Sequence, residues 1–113
     1  MKEYSTRQNK IGRLIQKELS ELFRRETQML FQGKMITVTT VRVTRDMSLA
    51  RCYLSIFPSD NAQEILDHIN NRKGHLRGEL GRIVRHQLRV IPDLEFFLDD
   101  SLDYIENIDN LLK

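Results

Sequence analysis

Gly74–Arg89, GHLRGELGRIVRHQLR, is the stretch on which the fold turns. At 100° per residue, Leu76, Leu80, Ile83, Val84 and Leu88 fall on one side of a helix. Arg82, Arg85 and Arg89 fall on the other, with His86 beside them. One side is expected to seal a core, and the other to present cations to something anionic. Gly74, Gly78 and Gly81 interrupt the segment, and each costs up to about 1 kcal/mol relative to alanine in a helix interior. A helix that keeps glycines must bend there, pack closely there, or let a ligand reach its backbone. The pattern predicts half of an RNA-binding surface.

Just upstream, Arg72–Lys73–Gly74 predicts a kink or break, preceded by a helix whose inner face is Ile65, Leu66 and Ile69. Pro58 ends the strand before that helix. Ser59 or Asp60 is expected to cap it, and Asp60 with Gln63 has the spacing of a capping box. Downstream, Val90–Ile91–Pro92 is expected to close the Gly74–Arg89 helix, because the residue before proline disfavours helical geometry. Leu94–Asp99 alternates Leu94, Phe96 and Leu98 against Glu95, Phe97 and Asp99 and reads as a strand. Asp100 or Ser101 then caps a short terminal helix with Ile105, Ile108, Leu111 and Leu112 inward.

Further toward the N-terminus, Met35–Thr44 is dense in β-branched residues and reads as a strand. Its apolar positions change phase between Val38 and Val41 through Thr39–Thr40. A bulge explains that shift, and so does a strand covered on both faces near its start. After the turn-like Arg45–Ser48, Leu49–Phe57 sets Ala50, Cys52, Leu54 and Ile56 against Arg51, Tyr53 and Ser55, giving an antiparallel hairpin. Cys52 lies on the apolar parity and reads as a small core residue, not a nucleophile. A first helix capped by Ser5 or Thr6 runs to about Thr27, with Ile11, Ile15, Leu19, Leu22 and Phe23 inward. Lys10, Arg13, Lys17 and Arg24 lie opposite, and Gly12 borders the apolar side, where another element can come close. The order is α–β–β–α–kink–α–β plus a short C-terminal helix: an α+β fold with a three-stranded sheet and helices packed on one face.

A chain of 113 residues, 40% hydrophobic and 30% charged, supports one core, so a single domain over 1–113 is expected. MKEYSTRQNK has no apolar signal-peptide core, and no apolar run approaches the roughly 20 residues of a membrane helix. The single cysteine cannot form an internal disulfide, which points to the reducing cytoplasm. The net charge of +2 conceals a polarity: six Lys/Arg against one acid between Arg72 and Arg89, and seven acids with no Lys or Arg between Asp93 and Asp109. Such blocks orient a charged partner; the plainer reading is two solvated helix faces of opposite sign.

No enzyme constellation is present. His68, His75 and His86 lack a ligand spacing with cysteines or glutamates, and no phosphate-binding glycine loop or serine elbow occurs. The acids Asp99, Asp100, Asp103 and Glu106 favour a helix N-terminus over a cation site. A non-enzyme without metal or cofactor is expected. Gly78–Glu79–Leu80–Gly81 is literally a GxxG, the loop by which KH domains clamp nucleic-acid backbone. Yet Glu79 repels phosphate, and Leu80 fits the inward stripe of a continuing helix.

The ordered set of segments resembles the ribosome-binding factor A family over nearly the whole chain. RQNKIGRLIQKELSELF is similar to the family's opening helix, with Arg7 and Ile11 at its landmarks. GKMITVTTVRVTRDMSLARCYLSIF resembles its hairpin, with the acidic turn at Asp46, and GHLRGELGR followed by PDLEFFLDDSLDYIENIDNLL resembles the later helix, strand and closing segment. The resemblance implies a type II KH-like fold in which an Ala-x-Gly kink replaces the GxxG loop; Arg72-Lys73-Gly74 stands at that place, with arginine where the family has alanine. The segment from Gly81 to Pro92 is slightly longer than the family pattern, so the helix is expected to extend further. The chain stops at Lys113 without the flexible tail many members carry, which is expected either to weaken ribosome attachment or to mark a lineage that does without it.

The resemblance also implies a function: binding the free 30S ribosomal subunit and assisting late maturation of 16S rRNA at its 5′ end region, including at low temperature. The residues expected on RNA are Lys10, Arg13, Lys17, Arg45, Arg72, Lys73, Gly74, Arg77, Arg82, Arg85 and Arg89. The expected partners are the 30S subunit, its 16S rRNA and ribosomal proteins, with no membrane, and the protein is expected to be a cytoplasmic monomer. The rival readings are a general RNA-binding KH-like module and a protein-interaction scaffold using the acidic C-terminal region.

Overall fold

The structure is a computed structural model that describes residues 5–30 and 34–99. Its elements are α1 (Thr6–Leu30), β1 (Met35–Val43), β2 (Leu49–Phe57), α2 (Ala62–Asn71), α3 (Lys73–Val84) and β3 (Asp93–Leu98). The expected terminal helix after Asp100 lies outside the described residues.

Helix α1 starts on a capping box. The Gln8 backbone N–H donates to Ser5 Oγ at 3.1 Å, and the Ser5 N–H donates to Gln8 Oε1 at 2.9 Å. The same Gln8 amide donates to the Val43 carbonyl at 2.9 Å, which ties the helix start to the end of β1 and satisfies a buried polar group. Ile15, Leu19, Leu22 and Phe23 are fully buried, as their spacing predicts. At Gly12 the helix rides on β1 so closely that a Cβ would stand 2.8 Å from the Val41 carbonyl oxygen. Further along, the Gln16 amide donates to the carbonyls of Val38 (3.1 Å) and Thr39 (3.2 Å). Those groups flank the register shift between Val38 and Thr40, so the phase change in the sequence is a bulge.

The sheet order is β1-β2-β3, with β1 and β2 antiparallel and β2 and β3 parallel. Ala50, Cys52, Leu54 and Ile56 face the helices, together with Leu94 and Phe96 of β3. Cys52 is buried, and burial pushes its thiol up to about 12. The Phe23 and Phe96 rings meet edge to face at 5.9 Å between centroids.

The start of α2 differs from expectation. Asn61, in the left-handed region at φ 54°, occupies the cap position with no side-chain cap bond. Both expected capping partners are engaged elsewhere. Lys34 Nζ holds the Asp60 carboxylate at 3.3 Å, and the Gln63 amide donates to Asp67 at 3.0 Å. The break between α2 and α3 falls at Arg72 (φ −105°, ψ 13°), which settles it at the Arg72–Gly74 kink. Asn70, at the end of α2, pairs its amide with both backbone groups of Phe96 at 3.1 Å.

Helix α3 ends at Val84, well short of the expected Val90–Pro92, and does not extend further as the family resemblance implied. The N–H groups of Gln87 and Leu88 both donate to the Val84 carbonyl, closing the helix in a turn, and Leu88 folds back into the core. Ile83, expected inward, is half-exposed, while Leu76, Leu80 and Val84 fill the inner stripe. Gly78–Gly81 lies inside the continuous helix with Leu80 buried, so it forms no GxxG loop.

Candidate nucleic-acid interface

The cations expected to act together separate into two clefts and a set of single positions. The larger cleft, about 720 Å³, lies where the start of α1, the turn after β1 and the segment after α3 converge. Arg7, Lys10, Arg45 and Arg89 line it, with Ile11, Met47, Leu88 and Val90 as apolar wall. Three chain segments far apart in sequence therefore bring four cations to one place. Among the described residues, no ion pair joins these four to an acid.

The turn that presents Arg45 is held by Asp46. Its Oδ1 accepts from Ser48 Oγ (2.7 Å), Thr44 Oγ1 (2.8 Å) and the Ser48 N–H (3.1 Å). The Ser48 hydroxyl first, then Thr44, holds the carboxyl below the usual carboxylate range. Met47 takes the left-handed conformation, φ 64°, with its side chain packed against the core.

The second cleft, about 530 Å³, lies against the kink and is lined by Lys73, Gly74 and Arg77 with Asp93 and Glu95 opposite. Arg77 is tied into the fold here. Its guanidinium donates to the carbonyls of Ile91 (2.7 Å) and Pro92 (3.2 Å) and stands 3.3 Å from Asp93. It straps α3 to the start of β3. Arg72 is half-buried, with a Nε that has no hydrogen-bond partner among the described residues. Gly74 is open, with nothing within 4 Å of where a Cβ would stand.

The remaining expected residues stand apart from both clefts. Arg13 and Lys17 are exposed along α1, and Arg85 is exposed in the turn after α3. Arg82 pairs with Glu79 at 3.1 Å. An exposed pair one helical turn apart contributes only about 0.2–0.5 kcal/mol, so Glu79 holds Arg82 weakly. Arg7, Met47 and Val90 line the larger cleft without having been singled out as candidates. The signal for Arg7 was there, one helical turn before Lys10; an apolar residue in a turn gives none. Among the described residues no cluster of three His, Cys, Asp or Glu side chains could hold a metal, and no helix is long and apolar enough to cross a membrane.

A mixed three-stranded sheet, helices on one of its faces and a broken helix pair crossing from β2 to β3 define the type II KH-like class of α+β fold. The model of one family within that class, ribosome-binding factor A, matches residues 7–112. The chain belongs to the ribosome-binding factor A family. Ribosome-binding factor A of Christiangramia forsetii is 43% identical to it over 98% of this chain and 86% of its own length. The crystal structure of ribosome-binding factor A from Thermus thermophilus superposes with a TM-score of 0.66 at 25% identity, covering 84% of this chain and 97% of that one. A Thermus thermophilus homology model fitted into a cryo-EM map of a 30S complex with that factor gives 0.52 at 27% identity, covering 77% of this chain and 93% of that one.

Proposed function

We propose that this protein binds the free 30S ribosomal subunit and assists late maturation of its 16S rRNA at the 5′ end region, including growth in the cold. The whole chain, 1–113, acts as one cytoplasmic monomeric binding unit, with no chemistry of its own and no cofactor. The observation that carries the reading is the convergence of Arg7, Lys10, Arg45 and Arg89 on one cleft in a family whose Thermus thermophilus member is described in complex with 30S. The kink cleft adds Lys73 and the open backbone at Gly74. Arg13, Lys17, Arg82 and Arg85 supply flanking phosphate contacts, and Arg72 and Arg77 shape the ground on which the others stand.

The physical action is phosphate neutralisation with release of counterions. Four contacts at a slope of about 0.9 each weaken binding roughly a hundredfold between 50 and 200 mM salt. Holding one geometry of the phosphates favours one conformation of an rRNA segment, which is how a binder without chemistry assists maturation. Co-sedimentation tests this. The protein is expected to pellet with free 30S and not with 70S, and Arg45→Glu with Arg89→Glu is expected to abolish pelleting while the fold survives. Pelleting that is indifferent to salt and to those changes overturns the reading.

A further inference from the structure

We propose that the larger cleft receives one unstacked nucleotide of the bound RNA, its base against the apolar wall and its phosphate on the cationic rim. The inference deepens the RNA-binding reading and rests on it. A patch that only neutralises phosphate has no use for an apolar floor, and an apolar peptide site has no use for four cations. A nucleotide joins both requirements, because its base offers a flat π face and its phosphate a negative charge. The cleft volume of about 720 Å³ lies within the roughly 300–1,000 Å³ of small-ligand sites.

Two apolar side chains of the floor reach the cleft. Val90 is 63% exposed at the lip, whereas Leu88, two residues earlier, is 9% exposed and belongs to the core. An exposed valine beside Arg89 adds nothing to the interior and is available to a ligand. Met47 sits at φ 64°, a conformation that glycine adopts freely and other residues adopt at a cost, and its half-buried side chain both packs on the core and lines the cleft. The turn retains a side chain there, and that side chain is a thioether. Methionine is polarizable and adaptable, and it makes favourable contacts with aromatic rings.

The acid in the cleft sets what the base edge must offer. Asp46 Oδ1 is occupied by Thr44 and Ser48, which fixes the carboxylate in the lining. Its other oxygen repels a second phosphate and accepts from an amino group. Adenine, cytosine and guanine each carry such a donor and uracil does not. The Gln87 amide, also in the lining, supplies a second polar contact. The cleft is expected to prefer any of these three bases to uracil.

The probe is a single-stranded RNA heptamer with 2-aminopurine at its centre, followed by fluorescence, alongside sedimentation with immature 30S. Val90→Ser changes only an exposed side chain. Met47→Asn removes the apolar floor with a residue that tolerates the left-handed conformation, and urea unfolding confirms its fold. Together they are expected to lower heptamer affinity about tenfold and remove the fluorescence change, since base stacking on protein contributes about 1–3 kcal/mol per base. The salt slope is expected to stay as it was, because no charge is lost. Arg89→Gln is expected to reduce that slope by about 0.7. If Val90→Ser with Met47→Asn leaves affinity and fluorescence unchanged while the wild type still pellets with 30S, the nucleotide site is refuted and the ribosomal reading stands. If the wild type fails to pellet with 30S, the ribosomal reading falls and this proposal falls with it.

Discussion

Alanine at Gly12 and alanine at Gly78 are the same chemical change in two helices, and the structure gives them opposite signs. At Gly12 the new Cβ would stand 2.8 Å from the Val41 carbonyl oxygen, a backbone atom that cannot rotate away. Helix α1 would have to lift from β1, loosening Ile15 and Leu19 beneath it. Overpacking of this kind costs about 1–3 kcal/mol, while the gain in helix propensity returns about 1 kcal/mol. The net expectation is destabilisation of about 1–2 kcal/mol. At Gly78 nothing lies within 4 Å, so only the propensity term acts and the variant is expected to gain about 1 kcal/mol. Urea unfolding followed by circular dichroism measures both. For a chain of this size 1 kcal/mol corresponds to about 4 °C in melting temperature, so the two variants are expected to melt on either side of the parent. A Gly12→Ala protein as stable as the parent, or two shifts of the same sign, would refute the close approach of α1 to the sheet.

Arg77→Ala frees the Ile91 and Pro92 carbonyls and the Asp93 carboxylate, and because the guanidinium is 44% exposed the expected loss is only about 1 kcal/mol; an unchanged urea midpoint removes the strap. Cys52, its thiol pushed up to about 12 by burial, is expected to resist thiol reagents at pH 8 in the native state and to react once the chain is unfolded; rapid native labelling counts against its core position. Asp46 has a folded pKa below its unfolded one, so its contribution is present above about pH 4 and is lost as pH falls through the lower folded value. Asp46→Asn is therefore expected to flatten the fall of stability between pH 5 and 2, and an unaltered profile sinks that role for the turn.

Local patterns carried most of the architecture. The β-branched runs, the alternation of Ala50, Cys52, Leu54 and Ile56, and the phase change at Thr39–Thr40 all have a period of two that only a strand with a bulge satisfies. The end of α3 was not legible, because Val84 and Leu88 are four apart and face inward whether the chain continues as helix or turns. The capping box at Asp60 and Gln63 failed for a different reason: Lys34 and Asp67 compete for the same side chains, and Lys34 comes from a distant part of the chain. The amides of Gln8, Gln16 and Asn70 meet their partners across long stretches of sequence, so no local signal announces them. Charge blocks marked the cations of the candidate interface one by one. Which of them meet depends on the hairpin turn returning to the start of α1, a tertiary fact. That is why Lys10, Arg45 and Arg89 are found together while Arg77 is held in the scaffold.

The Asn70 amide has a consequence for how copies of this molecule meet one another. By taking the outward N–H and C=O of Phe96, it behaves like one rung of a further strand that goes no further. A neighbouring chain cannot add to the β3 margin past that rung without first displacing the amide. The side chain thus works as a stop on sheet growth, guarding against aggregation through this margin.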